Sequence, residues 1–349
     1  MKGNEALAYG ALISGLNAYF AYPITPSSEI PETLAREFGS PEHPEFRAYL
    51  QTSSEVEAIN MVIGAASTGA RTMTATSGPG FSLMQEGLSY AAAMELPFIV
   101  VDVNRAGPGL GNLGPEQSDY FQATKGGGHG GYRNIVLAPN SVQEMASFPS
   151  LGFSLAFKHR NPVVILADAF LGQIKEDIEF PEILPDQLET SWATTGATPE
   201  RRHLLLSLHL DFEDQASHTE HLGRKYAKIE KTEARSEEYM TEDAEIVLVS
   251  YGIASRLCRH VTNQMRGAGT KVGLFRPITL SPFPSGPLRN LADDGKKFIV
   301  VELNMGQMLE DVRVAVEDST RVGFANRLGG LLPSSKEIAE KVETMRIGN

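Results

Sequence analysis

The chain has 349 residues, 42% hydrophobic and 21% charged, a composition that suits a globular protein of two domains, each long enough to bury a real core. Its 43 acidic and 31 basic residues give a formal net charge of −12, which argues against nucleic acid as the main partner, because phosphate binding needs a basic surface. No stretch approaches the roughly 18 apolar residues of a membrane span, and Glu5 follows Met1 too closely for a secretory leader, so no membrane partner and a cytoplasmic address are expected.

Cys258 is the only cysteine. That excludes a disulfide framework, a thiolate zinc site and any Fe–S cluster held by this chain alone, since a cluster needs about four thiolates. Its neighbours Ala254-Ser255-Arg256-Leu257 read as helix, so a packed core cysteine is expected.

In chain order, short apolar runs alternate with segments of helical period, the mark of a parallel α/β layering. Strands are expected at 18–22, 46–51, 71–76, 98–103, 134–138 and 163–167. Helices are expected at 3–15, 54–68, 81–94 and 141–157, the last open to a kink or split at Pro149. The runs at 98–103 and 163–167 are nearly continuous in apolar residues, as strands covered on both faces are. One domain therefore spans 1–180. Three prolines and no sustained period make 180–200 a linker, and 215–240, dense in Glu, Lys, Arg and His, reads as a charged helical connector, so 181–243 joins two folded units. From 244 the alternation resumes: strands at 245–251, 271–275 and 298–303, helices at 254–266 and 306–316, a second and smaller α/β domain over 244–349.

Five segments carry chemistry. Tyr22-Pro23-Ile24-Thr25-Pro26-Ser27-Ser28-Glu29 lies where a strand yields to a helix, the crevice in which open α/β sheets bind ligands; a proline-defined turn with a helix cap accounts for it equally. In Gln51-Thr52-Ser53-Ser54-Glu55-Val56-Glu57 an acid leads into a helix that looks buried, either as a capping, dipole-compensating carboxylate or as a functional carboxyl of raised pKa. Thr76-Ser77-Gly78-Pro79-Gly80 is a glycine-rich strand-to-helix turn whose amides are open to an anion or ring, without the Gly-Lys-Ser or Gly-Lys-Thr of a P-loop. Arg105 stands just past a strand end beside a loop of glycines that does not open an apolar helix, so no dinucleotide fingerprint is read there; its guanidinium could fork onto a carboxylate or form a surface ion pair. Lys125-Gly126-Gly127-Gly128-His129-Gly130-Gly131 offers one histidine on a flexible loop with no partner visible in the sequence.

Taken together, these motifs resemble the thiamine-binding α subunits of the 2-oxoacid:ferredoxin oxidoreductases. Tyr-Pro-Ile-Thr-Pro-Ser-Ser (22–28), Ser54-Glu55, Thr-Ser-Gly-Pro-Gly (76–80) and the Arg105 loop occur in that family's order, and Leu248-Val249-Ser250-Tyr251-Gly252 and Arg276-Pro277-Ile278-Thr279-Leu280 look like its second domain. The resemblance implies a thiamine-diphosphate-binding, transketolase-like parallel-sheet domain followed by a transketolase C-terminal-like domain. It also implies CoA-dependent oxidative decarboxylation of a 2-oxoacid with ferredoxin as acceptor. Glu55 would hydrogen-bond the cofactor's pyrimidine as the catalytic acid, Glu57 being the weaker choice. Thr25 and Arg105 would bind the substrate carboxylate, and Ser77, Gly78 and Pro79 would line the cofactor. The family's diphosphate motif, Gly-Asp-Gly, is absent; Asp293-Asp294-Gly295 is the nearest run. A β subunit would therefore hold the diphosphate and Mg²⁺, γ and ferredoxin-like δ subunits would accompany it, and Fe–S clusters would lie in partners, with no metal in this chain. The segment 109–130, with Tyr120-Phe121, looks more like the branched-chain type, acting on 3-methyl-2-oxobutanoate, than the 2-oxoglutarate type. A 2-oxoglutarate enzyme, a non-oxidative thiamine enzyme half and a non-catalytic scaffold are the alternatives.

Overall fold

A computed structural model describes residues 1–180, 188–197 and 203–347. Helix α1 (Gly3–Ile13) precedes β1 (Ala18–Ala21), α2 (Glu29–Glu37), β2 (Ala48–Gln51), α3 (Glu55–Ala66) and β3 (Thr72–Thr76). There follow α4 (Gly78–Leu83), α5 (Gln85–Ala93), β4 (Ile99–Asn104), β5 (Ile135–Leu137), α6 (Val142–His159), β6 (Val163–Asp168) and α7 (Ala169–Gln173). The later elements are α8 (Phe212–Glu233), β7 (Ser236–Tyr239), β8 (Ile246–Val249), α9 (Gly252–Gly267), β9 (Val272–Pro277) and β10 (Thr279–Ser281). The chain finishes with α10 (Ser285–Asp293), β11 (Lys297–Glu302), α11 (Gln307–Val316), β12 (Val322–Asn326) and α12 (Ser335–Ile347).

The strands form two sheets, ordered β10-β5-β6-β4-β3-β1-β2 and β12-β11-β8-β9-β7. All neighbours are parallel except the edge strands β10 and β7, which run antiparallel to β5 and β9. The α/β class expected from the sequence holds. Strands β4 and β6 are buried along their whole length, so the continuous apolar runs Ile99–Val101 and Val163–Leu166 meet helices on both faces. Each such side chain contributes roughly 1.5–3 kcal/mol by leaving water.

Several elements differ from the sequence reading. The helix expected at 81–94 is two, α4 and α5, which meet at Met84. Helix α6 runs unbroken through Pro149. It is clamped against α1, where a Cβ on Gly10 would lie 2.0 Å from the Ala146 carbonyl oxygen, so only glycine lets the two backbones approach. The charged connector is helical only to Glu233 and then becomes β7, an edge strand of the second sheet. Its Ser-Glu-Glu-Tyr sequence is polar because an edge strand is half solvated. Strand β10 turns back to the first sheet, with Thr279 opposite Leu137. Between 181 and 202 the linker is described at 188–197, where Thr194 donates to the Ser67 carbonyl (3.0 Å) and Arg160 stacks over Trp192.

Polar contacts bind the two units. Arg276 from β9 forks onto Glu144 of α6 through Nη1 and Nη2 (2.7 Å each), giving a structural role to the Arg-Pro-Ile-Thr-Leu run. Asp168 caps α7 through the Leu171 N–H (2.9 Å) and accepts from the Ile253 N–H (3.1 Å) across the junction. Burial pushes its carboxyl up to about 6.

Candidate active site

The chain passes from β1 to β2 on one side and then to β3 on the other, so the crevice at the carboxyl ends of β1 and β3 is the topological switch of the first sheet. All four family-like segments leave from this edge. Thr25 follows β1, Glu55 follows β2, the 76–80 turn follows β3, and Arg105 follows β4.

At the start of α3 the two acids divide the work. Ser54 Oγ accepts from the Glu57 N–H (3.2 Å), while Glu57 Oε2 accepts from the Ser53 N–H (2.7 Å) and hydroxyl (2.6 Å). The cap is thereby satisfied by the exposed Glu57. Glu55 is left buried, and its carboxylate meets no hydrogen-bond donor among the described residues.

The opposite wall is the Thr76–Gly80 turn. A Cβ on Gly80 would fall on the Glu55 carboxylate and the Thr76 hydroxyl, and a Cβ on Gly78 would lie 2.8 Å from Asp119 Oδ2. The turn thus passes between two carboxylates. Ser77 Oγ is buried there with no hydrogen-bond partner.

Arg105 and Thr25, far apart in sequence, meet: Arg105 Nη1 donates to the Thr25 carbonyl (2.9 Å), while Nε is buried and unpartnered. Arg105 lines a cavity of about 1130 Å³ between the two units, together with Gly78, Pro79, Asp119, Phe121 and Asn304. It is the only cationic side chain lining that cavity among the described residues. Gln117 holds the Arg105 loop in place, donating to the Tyr251 carbonyl (3.0 Å) and accepting from the Leu303 N–H (2.9 Å). Glu116 joins the Gly107 and Gly329 amides (2.8 and 3.0 Å), which pins the loop to the second unit again.

The sequence reading missed a pair of buried acids here. Asp102, the register partner of Thr76, lies wholly buried in β4, and Asp119 approaches it from the loop. Burial, then the charge of Asp119, pushes the Asp102 carboxyl well above its usual range. Burial also raises Asp119, to about 6, against the opposing hydrogen bonds from Gln122 and Asp102. Asn104 donates to Asp119 as well. The signal available in sequence was an acid inside the apolar run Val100-Val101-Asp102-Val103. Glu302, at the end of β11, was likewise missed. It accepts from the Met308 (2.8 Å) and Leu309 (3.0 Å) amides of α11, and burial pushes it up to about 7.

Other candidates fall elsewhere. His129 packs edge-on against Tyr90, and its carbonyl accepts from Ser89 Oγ (2.8 Å), on a separate cavity lined by α5 and α8. Tyr120 does not line the large cavity: it is fully buried and donates to Asp311 (2.6 Å), leaving Phe121 alone of that pair on the wall. Cys258 is fully buried, and desolvation pushes its thiol up to about 12. Asp293-Asp294-Gly295 is the ordinary end of α10.

Comparison with known proteins gives the family. The family described as pyruvate flavodoxin/ferredoxin oxidoreductase, thiamine diP-bdg, matches residues 9–247, and pyruvate:ferredoxin oxidoreductase core domain II matches residues 244–338. The ketoisovalerate oxidoreductase subunit VorB of Methanothermobacter marburgensis is 52% identical over 98% of this chain and 96% of its own. The 2-oxoglutarate synthase subunit KorA of Methanocaldococcus jannaschii is 35% identical over 98% of each chain. Among solved structures, the 2-oxoglutarate:ferredoxin oxidoreductase of Magnetococcus marinus, with 2-oxoglutarate, coenzyme A and succinyl-CoA bound, is similar at a TM-score of 0.86 and 28% identity. That match covers 99% of this chain and 64% of the other, so this chain spans less than two-thirds of its length. A split-gene transketolase, an inactive beta4 tetramer, shares the fold alone, at a TM-score of 0.58 and 11% identity over 97% of this chain and 96% of that one. The chain belongs to the thiamine-diphosphate-binding α-subunit family of the 2-oxoacid:ferredoxin oxidoreductases. No described helix is long and apolar enough to cross a membrane.

Proposed function

We propose that this chain is the α subunit of an oxidoreductase that converts a branched-chain 2-oxoacid, 3-methyl-2-oxobutanoate, and coenzyme A to an acyl-CoA and CO₂, passing two electrons to ferredoxin in the cytoplasm. The observation that carries the reading is Glu55, a buried residue at the switch of a parallel sheet, on the same edge as the Arg105–Thr25 contact.

These residues suit the pyrimidine half of thiamine diphosphate. Glu55 lacks a hydrogen-bond partner that a ring nitrogen would provide, and the absence of a Cβ at Gly80 leaves the carboxylate its place. When bound, the cofactor supplies the carbon nucleophile that lets a 2-oxoacid lose CO₂. Glu55 would hold a proton shared with the pyrimidine ring. Ser77, Gly78 and Pro79 would line the ring's approach, the small residues admitting it closely. Arg105 would fork onto the substrate carboxylate, its backbone contact to Thr25 fixing the direction of the guanidinium, and the exposed Thr25 hydroxyl would complete the grip.

The rest of the site belongs to partners in this reading. A β subunit would bring the diphosphate and Mg²⁺, and γ and ferredoxin-like δ subunits the remaining functions. Fe–S clusters lie outside a chain whose single thiol is buried. Tyr22, Leu50, Val56 and Leu83 stand exposed on the segments that surround Glu55, an apolar rim that the β subunit would cover.

A 2-oxoglutarate specificity has weaker support. A second substrate carboxylate in the large cavity would face Glu116, Asp119 and Glu310 with no cation beyond Arg105 among the described residues. The test is anaerobic reduction of a low-potential dye by the co-expressed subunits, with 2-oxoisovalerate, 2-oxoglutarate and pyruvate compared, and Glu55→Gln beside the wild type. Activity on 2-oxoisovalerate that falls at least a hundredfold in an intact Glu55→Gln assembly supports the reading. Undiminished turnover in that variant removes Glu55 from the cofactor, and a preference for 2-oxoglutarate overturns the substrate.

A further inference from the structure

Among the described residues, four large apolar side chains line the cavity that holds Arg105: Leu110, Phe121, Met305 and Leu328. Three of them face solvent, with Leu110, Met305 and Leu328 at 82, 79 and 43% exposure. Phe121 alone of the four is half-buried, and it packs against the main hydrophobic core. A wall selects by shape only where it cannot move aside, so burial separates Phe121 from the other three.

The residues on either side of Phe121 fix its ring. Tyr120 meets it edge-on, with ring centroids 6.2 Å apart, and is itself fully buried. The Tyr120 hydroxyl donates to Asp311 of α11 (2.6 Å), its ring packs on Tyr251 at 5.8 Å, and its carbonyl accepts from the Thr124 hydroxyl (2.7 Å). Lys125 takes the other Asp311 oxygen. On the far side Gln122 opens a single π turn, Gln122–Gly126, donates to Asp119 and accepts from the Ser82 hydroxyl (2.9 Å). The ring is thus referenced to the first unit through Asp119 and Ser82, and to the second through Asp311.

We propose that Phe121 is the specificity-determining residue of this site, its ring closing the side-chain end of the 2-oxoacid pocket, with Tyr120 and Asp311 as positioning residues. The inference rests on the 2-oxoacid reading given above. A substrate whose carboxylate is held by Arg105 lays its side chain along the cavity wall, and Phe121 is the firm apolar part of that wall. An isopropyl group against the ring sheds water and gains dispersion contacts. A methyl group leaves that space unfilled, and a charged side chain loses its hydration there. One methylene more or less in such a pocket shifts kcat/KM by roughly 10–200-fold.

The co-expressed assembly tests this through ratios of kcat/KM between substrates, which a general loss of active protein leaves unchanged. Phe121→Ala is expected to raise the phenylpyruvate to 2-oxoisovalerate ratio at least about tenfold, because the vacated volume admits a larger side chain. Phe121→Trp is expected to lower the 2-oxoisovalerate to pyruvate ratio at least about tenfold, because the pocket shortens. Tyr120→Phe, which removes the tie to Asp311, should move the first ratio in the direction of Phe121→Ala by a smaller factor. Phe121→Leu keeps a packed side chain and carries the same test, with a shift of about threefold or more, should Phe121→Ala not assemble. Ratios that stay at wild-type values, or kcat/KM that falls equally for every substrate, overturn the inference and leave the oxidoreductase reading intact. A wild type silent on all three 2-oxoacids overturns that reading, and the inference with it.

Discussion

The Glu55 carboxylate and Gly80 share one small volume: a Cβ added at Gly80 would lie 2.5 Å from Glu55 Oε1 and 2.2 Å from Thr76 Oγ1. Both obstacles are polar side chains in a close-packed wall, so neither moves aside cheaply. Gly80→Ala is therefore expected to displace the Glu55 carboxylate. Dye reduction should drop at least tenfold and reconstitution of the apo-assembly should need more thiamine diphosphate, while overpacking lowers stability by about 1–3 kcal/mol. Wild-type activity at wild-type cofactor concentration would show that the wall yields and that Glu55 has no fixed place.

Arg105 supplies a fork on the large cavity, and lysine would supply a point charge. Arg105→Lys should raise KM for the 2-oxoacid about tenfold or more, with a smaller effect on kcat. Steady-state kinetics over substrate concentration separates the two. An unchanged KM would place the substrate carboxylate elsewhere.

Asp119, Asp168 and Glu302 all have folded pKa values raised by burial, to about 6, 6 and 7. Above the unfolded carboxylate values near pH 4, the folded protein then binds more protons than the unfolded chain. Stability is thus expected to fall as pH rises from about 4 to 7, by up to about 1.4 kcal/mol per pH unit for each group while it titrates. Urea midpoints at pH 5 and 7 measure this, and Asp119→Asn should make the slope shallower. A midpoint that climbs over this range would mean that these acids are ionised in the folded state throughout.

Glu233 behaves in the opposite sense. Burial alone would raise its carboxyl, but hydrogen bonds from Lys158 (2.7 Å), His159 (2.8 Å) and Thr232 (3.0 Å) outweigh that and hold it at about 2. Its contribution is present above the unfolded value near 4 and disappears as pH falls towards 2. Glu233→Gln should cost about 3 kcal/mol at pH 7 and progressively less between pH 4 and 2. An equal cost at both ends would assign the loss to packing instead of charge.

How far the fold could be read ahead depended on which residues record their surroundings. The runs at 98–103 and 163–167 announced β4 and β6 because a strand covered on both faces has room for little but apolar side chains. Strand β10 left no such record, being three residues flanked by prolines and defined by a partner some 140 positions earlier. The carboxyl-edge motifs were legible in order. The meeting of Arg105 with the Thr25 carbonyl, the seat of Asp119 behind Gly78 and the removal of Tyr120 from the cavity are facts of three dimensions. Glu57 and Glu55 could not be separated by composition; the cap geometry separates them.

Strand β10 also bears on how this gene can be handled. A cut near residue 243 looks clean in sequence, yet it would strip the first sheet of its terminal strand and leave β5 with a raw edge of unpaired amides and carbonyls. The amino-terminal half made alone should be sticky and short-lived, and grafts that swap carboxyl-terminal halves between relatives must carry Thr279–Ser281 in register with Val136 and Leu137. The two halves are not interchangeable cassettes: three residues of the second complete the sheet of the first.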